Sequence, residues 1–172
     1  MEIFGALAIC LGLSGFIWTD PRMVLRLAAA ASFVWVIYFL TLGAWAPAIA
    51  TTFGMIRFLS GAFAPKRMMW AIVITCTALG TPLILWSTPS FLGIVVAVGS
   101  ALKGFSVVTR DRPILFRVMF CTSEVCYLGF GIALSAWSTI AWSVLSMCMA
   151  LGSATLIHLR EKFTLKATSK TS

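Results

Sequence analysis

Seven uninterrupted apolar runs follow one another along this 172-residue chain, and only a few residues connect each run to the next. The runs cover residues 3–18, 23–42, 45–63, 68–86, 91–108, 113–134 and 137–159. Most of them are close to the ~20 residues that an α-helix needs to cross a bilayer. A water-soluble domain is excluded, because 60% of the residues are hydrophobic and only 10% are charged. The sequence therefore predicts an all-α membrane protein with seven transmembrane helices.

All thirteen Lys and Arg residues fall beside alternate connections between these runs. They follow run one (Arg22, Arg26) and run seven (Arg160, Lys162, Lys166, Lys170), and they surround the end of run three (Arg57, Lys66, Arg67) and the junction of runs five and six (Lys103, Arg110, Arg112, Arg117). Cytoplasmic loops retain Lys and Arg, so the pattern predicts the N-terminus outside and the C-terminus inside. The net charge of +8 then serves orientation and contact with anionic lipid, and we expect no nucleic-acid partner.

Acidic and tryptophan residues indicate where the helices begin and end. Asp20 before Pro21 is typical of an N-cap, and we expect Asp111 to cap the sixth helix in the same way. Most tryptophans lie near run ends and form an aromatic belt at both interfaces. Trp35 and Trp142 are exceptions, and we expect them to pack between helices or against lipid.

A weak internal repeat relates the two halves of the chain. Asp20 and Arg26 recur as Asp111 and Arg117 at a spacing of 91 residues, and Trp45 recurs as Trp137 at a spacing of 92. This spacing carries run one onto run five, so both copies point the same way. We therefore predict a first three-helix repeat over 1–63, a linker helix over 64–88, a second repeat over 89–162 and a cytoplasmic tail over 163–172. Parallel repeats of this kind occur in secondary transporters.

The 3+1+3 layout resembles the SWEET and PQ-loop transporters, and several local stretches resemble the YgjV family of bacterial inner-membrane proteins. These stretches are Gly54-Met-Ile-Arg57 with the later Lys66-Arg67 and Met68-Met69-Trp70, Arg117-Val-Met-Phe120, and Ile157-His-Leu-Arg160. The resemblance implies a multi-pass protein of the bacterial inner membrane. The chain departs from that family where we expect His or Asn, since it carries Tyr38, Gly54 and Gly129 there.

Glu124 is the acidic residue deep in a run, about 16 Å from the inner end of its helix. A carboxylate at that depth costs about 2–4 kcal/mol and needs a partner, water or a proton. Lys103 and Arg57 lie near enough to approach it if their helices face inward. Together with Tyr38, these residues are the predicted substrate or ion path. The alternatives are a protonated or hydroxyl-bonded Glu124 that only joins helices, and an Arg57 and a Lys103 that extend to the inner headgroups.

The sequence offers no catalytic signature. It lacks a Ser/His/acid set, an HExxH motif and a phosphate-binding glycine loop, so we expect no enzyme activity and no cofactor. The five cysteines form no CxxC pair and His158 is the only histidine, which argues against a metal site. Two functions remain open. One is a transporter-like protein with alternating access for a small molecule, and the other is a non-transporting accessory, sensor or structural membrane protein.

Overall fold

The computed structural model describes residues 2–18 and 20–168, and over this range the chain forms seven α-helices and no strand. They are α1 (Glu2–Gly15), α2 (Pro21–Thr41), α3 (Trp45–Phe63), α4 (Lys66–Ser87), α5 (Phe91–Val108), α6 (Pro113–Ala133) and α7 (Trp137–Thr168). Each helix corresponds to one apolar run. The predicted all-α class is therefore confirmed.

Two helices differ from their predicted lengths. The first run is expected to remain helical to residue 18, but α1 ends at Gly15. The last helix continues beyond residue 159 to Thr168, so the predicted tail over 163–172 begins inside α7. Residues 160–168 contain neither Gly nor Pro, and no residue in the stretch interrupts a helix.

Capping follows the prediction at α2 and departs from it at α6. The side chain of Asp20 accepts a hydrogen bond from the Arg22 N–H at 2.9 Å. The expectation that Asp111 caps α6 is wrong, because the N-cap position is Arg112 and carries no side-chain cap. Asp111 lies one residue too early to reach the helix. It instead forms an exposed ion pair with Lys66 at 3.0 Å.

Five helices are long and apolar enough to cross a membrane: those over Arg22–Thr41, Lys66–Ser87, Phe91–Val108, Ile114–Ala133 and Trp137–Leu156. The other two differ from them for different reasons. With 14 residues, α1 spans only about 21 Å. With 19 residues α3 is long enough, but it carries polar residues, and about half of its side chains are buried inside the protein. A helix shielded by its neighbours does not need the apolar surface that lipid requires.

Six of the helices form a closed ring. Around it, α1 contacts α2, α2 contacts α3, α3 contacts α5, α5 contacts α6, α6 contacts α7, and α7 contacts α1. The remaining helix, α4, packs on the outside against α3 and α5. Three clusters of buried apolar side chains fill much of the space between the helices.

Glycines allow close approach at the two contacts that join the halves of the ring. A Cβ on Gly12 of α1 would lie 2.3 Å from the ring of Trp142 in α7. A Cβ on Gly61 of α3 would lie 2.4 Å from Val107 in α5. Real side chains do not approach so closely, so both contacts require a residue without a Cβ.

The turns after α2 and α6 have the same backbone geometry. Gly43 has a φ of +67° and Ser135 a φ of 54°, the positive values found in the described residues. The residue after each of them donates its N–H to the helix behind, from Ala44 to the Phe39 carbonyl and from Ala136 to the Gly131 carbonyl. The left-handed conformation is strained for serine, so its presence at Ser135 shows that the turn, rather than residue preference, sets the geometry.

The outer surface is apolar, as a lipid-facing surface must be. Trp86, Phe91 and Trp137 are 83%, 77% and 73% exposed, and many other large apolar side chains also face outward. A water-soluble protein does not expose apolar surface on this scale. The polar residues that matter for function must therefore be sought inside the ring.

Candidate functional site

A cavity of about 60 Å³ lies inside the ring of six helices. Every ring helix contributes residues to its wall, whereas the outer helix α4 contributes none. Along α2 alone the lining extends from Val24 to Phe39, which is about 22 Å at 1.5 Å per residue. The cavity is therefore long and narrow, and it follows the ring axis over much of the membrane thickness.

Lys103 and Glu124 form a buried ion pair beside this cavity. The ammonium of Lys103 in α5 lies 2.5 Å from Oε1 of Glu124 in α6, and Glu124 is fully buried. The second oxygen of Glu124 accepts a hydrogen bond from the Ser143 hydroxyl of α7 at 3.3 Å. The Lys103 ammonium also lies 4.9 Å from the Phe120 ring and 4.7 Å from the Tyr127 ring. These contacts tie three helices together around one neutralised pair.

Arg57 reaches the cavity from α3 and is only 2% exposed. Its Nη1 donates to the backbone carbonyl of Ser100 at 2.5 Å and contacts the Ser100 hydroxyl at 3.1 Å. Gly104 provides the space for this side chain, since a Cβ there would lie 2.9 Å from both Cδ and Nη1 of Arg57. The guanidinium is thus held by a neighbouring helix and not by an acid.

The structure brings the predicted residues together only in part. Lys103 meets Glu124, whereas Arg57 lies against Ser100, and Arg117 donates from Nε to the Ser153 hydroxyl at 2.6 Å. Lys103 and Arg57 do not extend to the inner headgroups, because both side chains are turned into the ring.

Tyr38 is buried in an aromatic cluster directly behind the cavity wall. Its ring stands edge-on to Trp35 at 5.3 Å and lies 5.5 Å from Phe39, and among the described residues it is not one that lines the cavity. Glu124 likewise stands behind Lys103 rather than in the wall itself.

Several residues of the site carry no signal in the sequence. Ser100, Tyr127, Thr139 and Ser143 belong to ordinary apolar runs, and no spacing distinguishes them. Trp35 carries a weak signal, because it is one of the tryptophans that do not lie near the end of an apolar run. It contacts Trp142, with ring centroids 6.2 Å apart, and both line the cavity between the helices.

Three buried polar atoms of the cavity residues have no hydrogen-bond partner. They are the indole N–H of Trp35, Nε of Arg57 and the hydroxyl of Thr139. A buried polar group without a partner costs about 1–3 kcal/mol, so native structures seldom leave one. All three atoms belong to side chains that line the same cavity.

The described residues contain no group of three His, Cys, Asp or Glu side chains that could hold a metal ion. All five cysteines are free. The chemistry of this site within the described range is therefore that of one ion pair, one arginine and several hydrogen-bond donors.

These features define a class, an α-helical protein that crosses the membrane several times and encloses a mostly apolar cavity with a few polar side chains within its helix ring. The chain belongs to the Imp-YgjV family of bacterial inner membrane proteins, whose family model matches residues 1–170. The predicted family and the predicted location in the bacterial inner membrane are thus confirmed. No curated protein and no solved structure matches the chain.

Proposed function

We propose that this protein is a transporter of a small molecule, and that it works by alternating access between two three-helix repeats. The observation that carries the proposal is the long cavity inside the ring, which every ring helix lines. The repeats would be α1–α3 and α5–α7, with α4 as the linker. Transport would occur by rocking one repeat against the other around the cavity.

The helix boundaries support the repeat. Pro21–Thr41 and Pro113–Ala133 have equal lengths, and both their first and their last residues lie 92 positions apart. The next helices begin at Trp45 and Trp137, again 92 positions apart, and the turns before them share one hydrogen-bond pattern. In this register Glu124 corresponds to Ser32, and not to Phe33, the partner implied by the 91-residue spacing of Asp20 and Asp111.

Part of the cavity wall follows the same register. Val24 and Phe116, Ala28 and Phe120, Trp35 and Tyr127, and Ala50 and Trp142 are four pairs at a spacing of 92 whose members all line the cavity. The contacts between the halves correspond as well, because α3 meets α5 as α7 meets α1. Two similar units facing each other across a shared cavity are the arrangement that rocking requires.

The charge pattern supports an orientation with the N-terminus outside and the C-terminus inside. The contact of Lys66 with Asp111 agrees with it, because it joins two of the basic connections at one end of the bundle. The Arg110 guanidinium donates to the Gly61 carbonyl at the same end. In this orientation Arg57 and Lys103 lie about 9 Å and 8 Å from the inner ends of their helices.

A cysteine introduced at position 54 tests the proposal. Gly54 lines the cavity, and a Cβ there would have no neighbour within 4 Å, so Gly54→Cys fits without strain. In a chain whose five native cysteines are replaced, membrane-impermeant thiol reagents are applied to each face of oriented vesicles. We expect the thiol to react from both faces, because alternating access exposes the cavity to each side in turn.

Gly129→Cys is the matched control. Gly129 also lies within a predicted span with open space around it, but it is exposed on the outside of α6. We expect no labelling there, because hydrocarbon suppresses the reactive thiolate. Failure of the Gly54→Cys thiol to react from either face, or reaction from one face only, would contradict alternating access. The non-transporting accessory, sensor or structural alternative would then be preferred.

A further inference from the structure

We propose that the cavity binds a small monovalent anion of the carboxylate or nitrate type, held by the Arg57 guanidinium. This inference rests on the proposed transport function and specifies its substrate class. It follows from the charge balance of the ring interior, from the hydrogen-bonding groups that face the cavity and from the size of the cavity.

The ring interior carries one positive charge in excess among the described side chains. Lys103 and Glu124 neutralise each other at 2.5 Å. Of the other acids whose side chains the structure describes, Asp20 and Asp111 lie in exposed connections at helix ends. Arg57 keeps its charge, because arginine remains protonated in proteins and its interior neighbours are a serine, a thiol and a phenol.

An uncompensated arginine inside a membrane protein is expensive, and charged residues at such depth mark ion or substrate paths. An anion in the cavity would remove this cost by pairing with the guanidinium. A cation would be repelled by Arg57, because no described acid balances the charge of its guanidinium. The charge balance therefore favours an anionic ligand.

The polar atoms without partners are suited to an anion. Nε of Arg57 and the indole nitrogen of Trp35 are donors only, and the hydroxyl of Thr139 can donate as well. The oxygens of Glu124, the strongest acceptors nearby, are already engaged by Lys103 and Ser143. Nη1 of Arg57 is bound to Ser100, whereas Nε has no hydrogen-bond partner. A guanidinium binds planar oxyanions such as carboxylates through paired N–H groups.

The cavity volume selects small ligands. About 60 Å³ has room for roughly four waters at about 15 Å³ each. Formate, nitrate and short carboxylates fit such a space. A sugar of about a dozen heavy atoms does not fit that volume.

Protection of the Gly54→Cys thiol from labelling tests the anion class. The purified variant, again without the five native cysteines, is treated with iodoacetamide, a neutral reagent of only five heavy atoms, in increasing sodium formate. Sodium gluconate, whose anion is too large for the cavity, keeps the ionic strength constant. Formate at about ten times its Kd leaves roughly one tenth of the protein free, so we expect labelling to slow roughly tenfold.

Adding Arg57→Gln should abolish this protection, because glutamine carries no charge. Adding Arg67→Gln should retain it, since Arg67 is an exposed arginine outside the cavity. If the thiol at position 54 reacts from both membrane faces but formate and nitrate give no protection, the anion class is wrong and the transport proposal still stands.

A second measurement covers the case in which the thiol at position 54 does not react and the transport proposal fails. Formate should raise the melting temperature of the chain with its native cysteines, and Arg57→Gln should remove that increase, because a ligand stabilises only the form that binds it. No increase with formate or nitrate would overturn the anion site independently of transport.

Discussion

Replacing Lys103 with methionine is expected to reduce the stability of the protein by about 3–5 kcal/mol, the largest effect of any single substitution considered for this chain. The change removes the ammonium that lies 2.5 Å from Glu124 and leaves a fully buried carboxylate with only the Ser143 hydroxyl as a partner. Melting temperature in detergent and the yield of monodisperse protein measure the effect.

A second substitution separates the charge from the packing. In the Lys103→Met, Glu124→Gln double variant the interior carries no unpaired carboxylate, and the new amide oxygen can still accept from Ser143. We therefore expect most of the stability to return, even though the double variant departs further from the native chain. A double variant no more stable than Lys103→Met would mean that Lys103 acts through packing and not through its charge.

The exposed pair of Lys66 and Asp111 provides the matched control. Its atoms lie 3.0 Å apart, but the two side chains are 63% and 57% exposed, against 16% for Lys103 and 0% for Glu124. Water screens the exposed pair, so Lys66→Met should change stability by no more than about 1 kcal/mol. Equal losses from Lys66→Met and Lys103→Met would contradict the burial argument.

Helix positions were predictable because their signals are local. Long apolar runs, Asp20 before Pro21 and short connections fix the helix ends within a few residues, except for the end of α7, which lies nine residues beyond its apolar run. The register of the proposed repeat was harder to predict, since the similarity of Asp111 to Asp20 indicated a spacing of 91 residues. In the structure, α2 and α6 begin 92 residues apart. Asp111 stands one residue further from its helix than Asp20 does, and it pairs with Lys66 instead of capping the helix.

The pairing of charges was not predictable from the sequence. Arg57 and Lys103 lie at similar depths in their helices, so depth alone allowed both to reach Glu124. Which of them does so depends on the rotation of α3 and α5 about their axes, and that rotation is fixed by packing. Gly104 decides part of it, because only a residue without a Cβ admits the Arg57 side chain beside α5.

Replacing Arg57 with methionine should change the stability of the protein far less than replacing Lys103 does. The charge of Arg57 neutralises no described acid, so its removal leaves no carboxylate unpaired. The variant loses hydrogen bonds to Ser100, worth about 1.5–3 kcal/mol for a charged donor, and is relieved of a buried charge that costs about 2.5–3.5 kcal/mol. The two nearly cancel, and we expect the melting temperature to report a stability change of no more than about 1 kcal/mol.

Anion binding, in contrast, should be lost in Arg57→Met. With no guanidinium in the cavity wall, formate should neither protect the Gly54→Cys thiol in an Arg57→Met background nor raise the melting temperature of Arg57→Met. A charged residue that contributes little to stability is retained for what it binds, because insertion otherwise disfavours it. Arg57→Lys keeps the positive charge but lacks the planar guanidinium with its paired N–H donors. In that variant we expect formate to protect the Gly54→Cys thiol more weakly, but not to lose its effect. A loss of more than about 2 kcal/mol in Arg57→Met would instead assign Arg57 a structural role in joining α3 to α5.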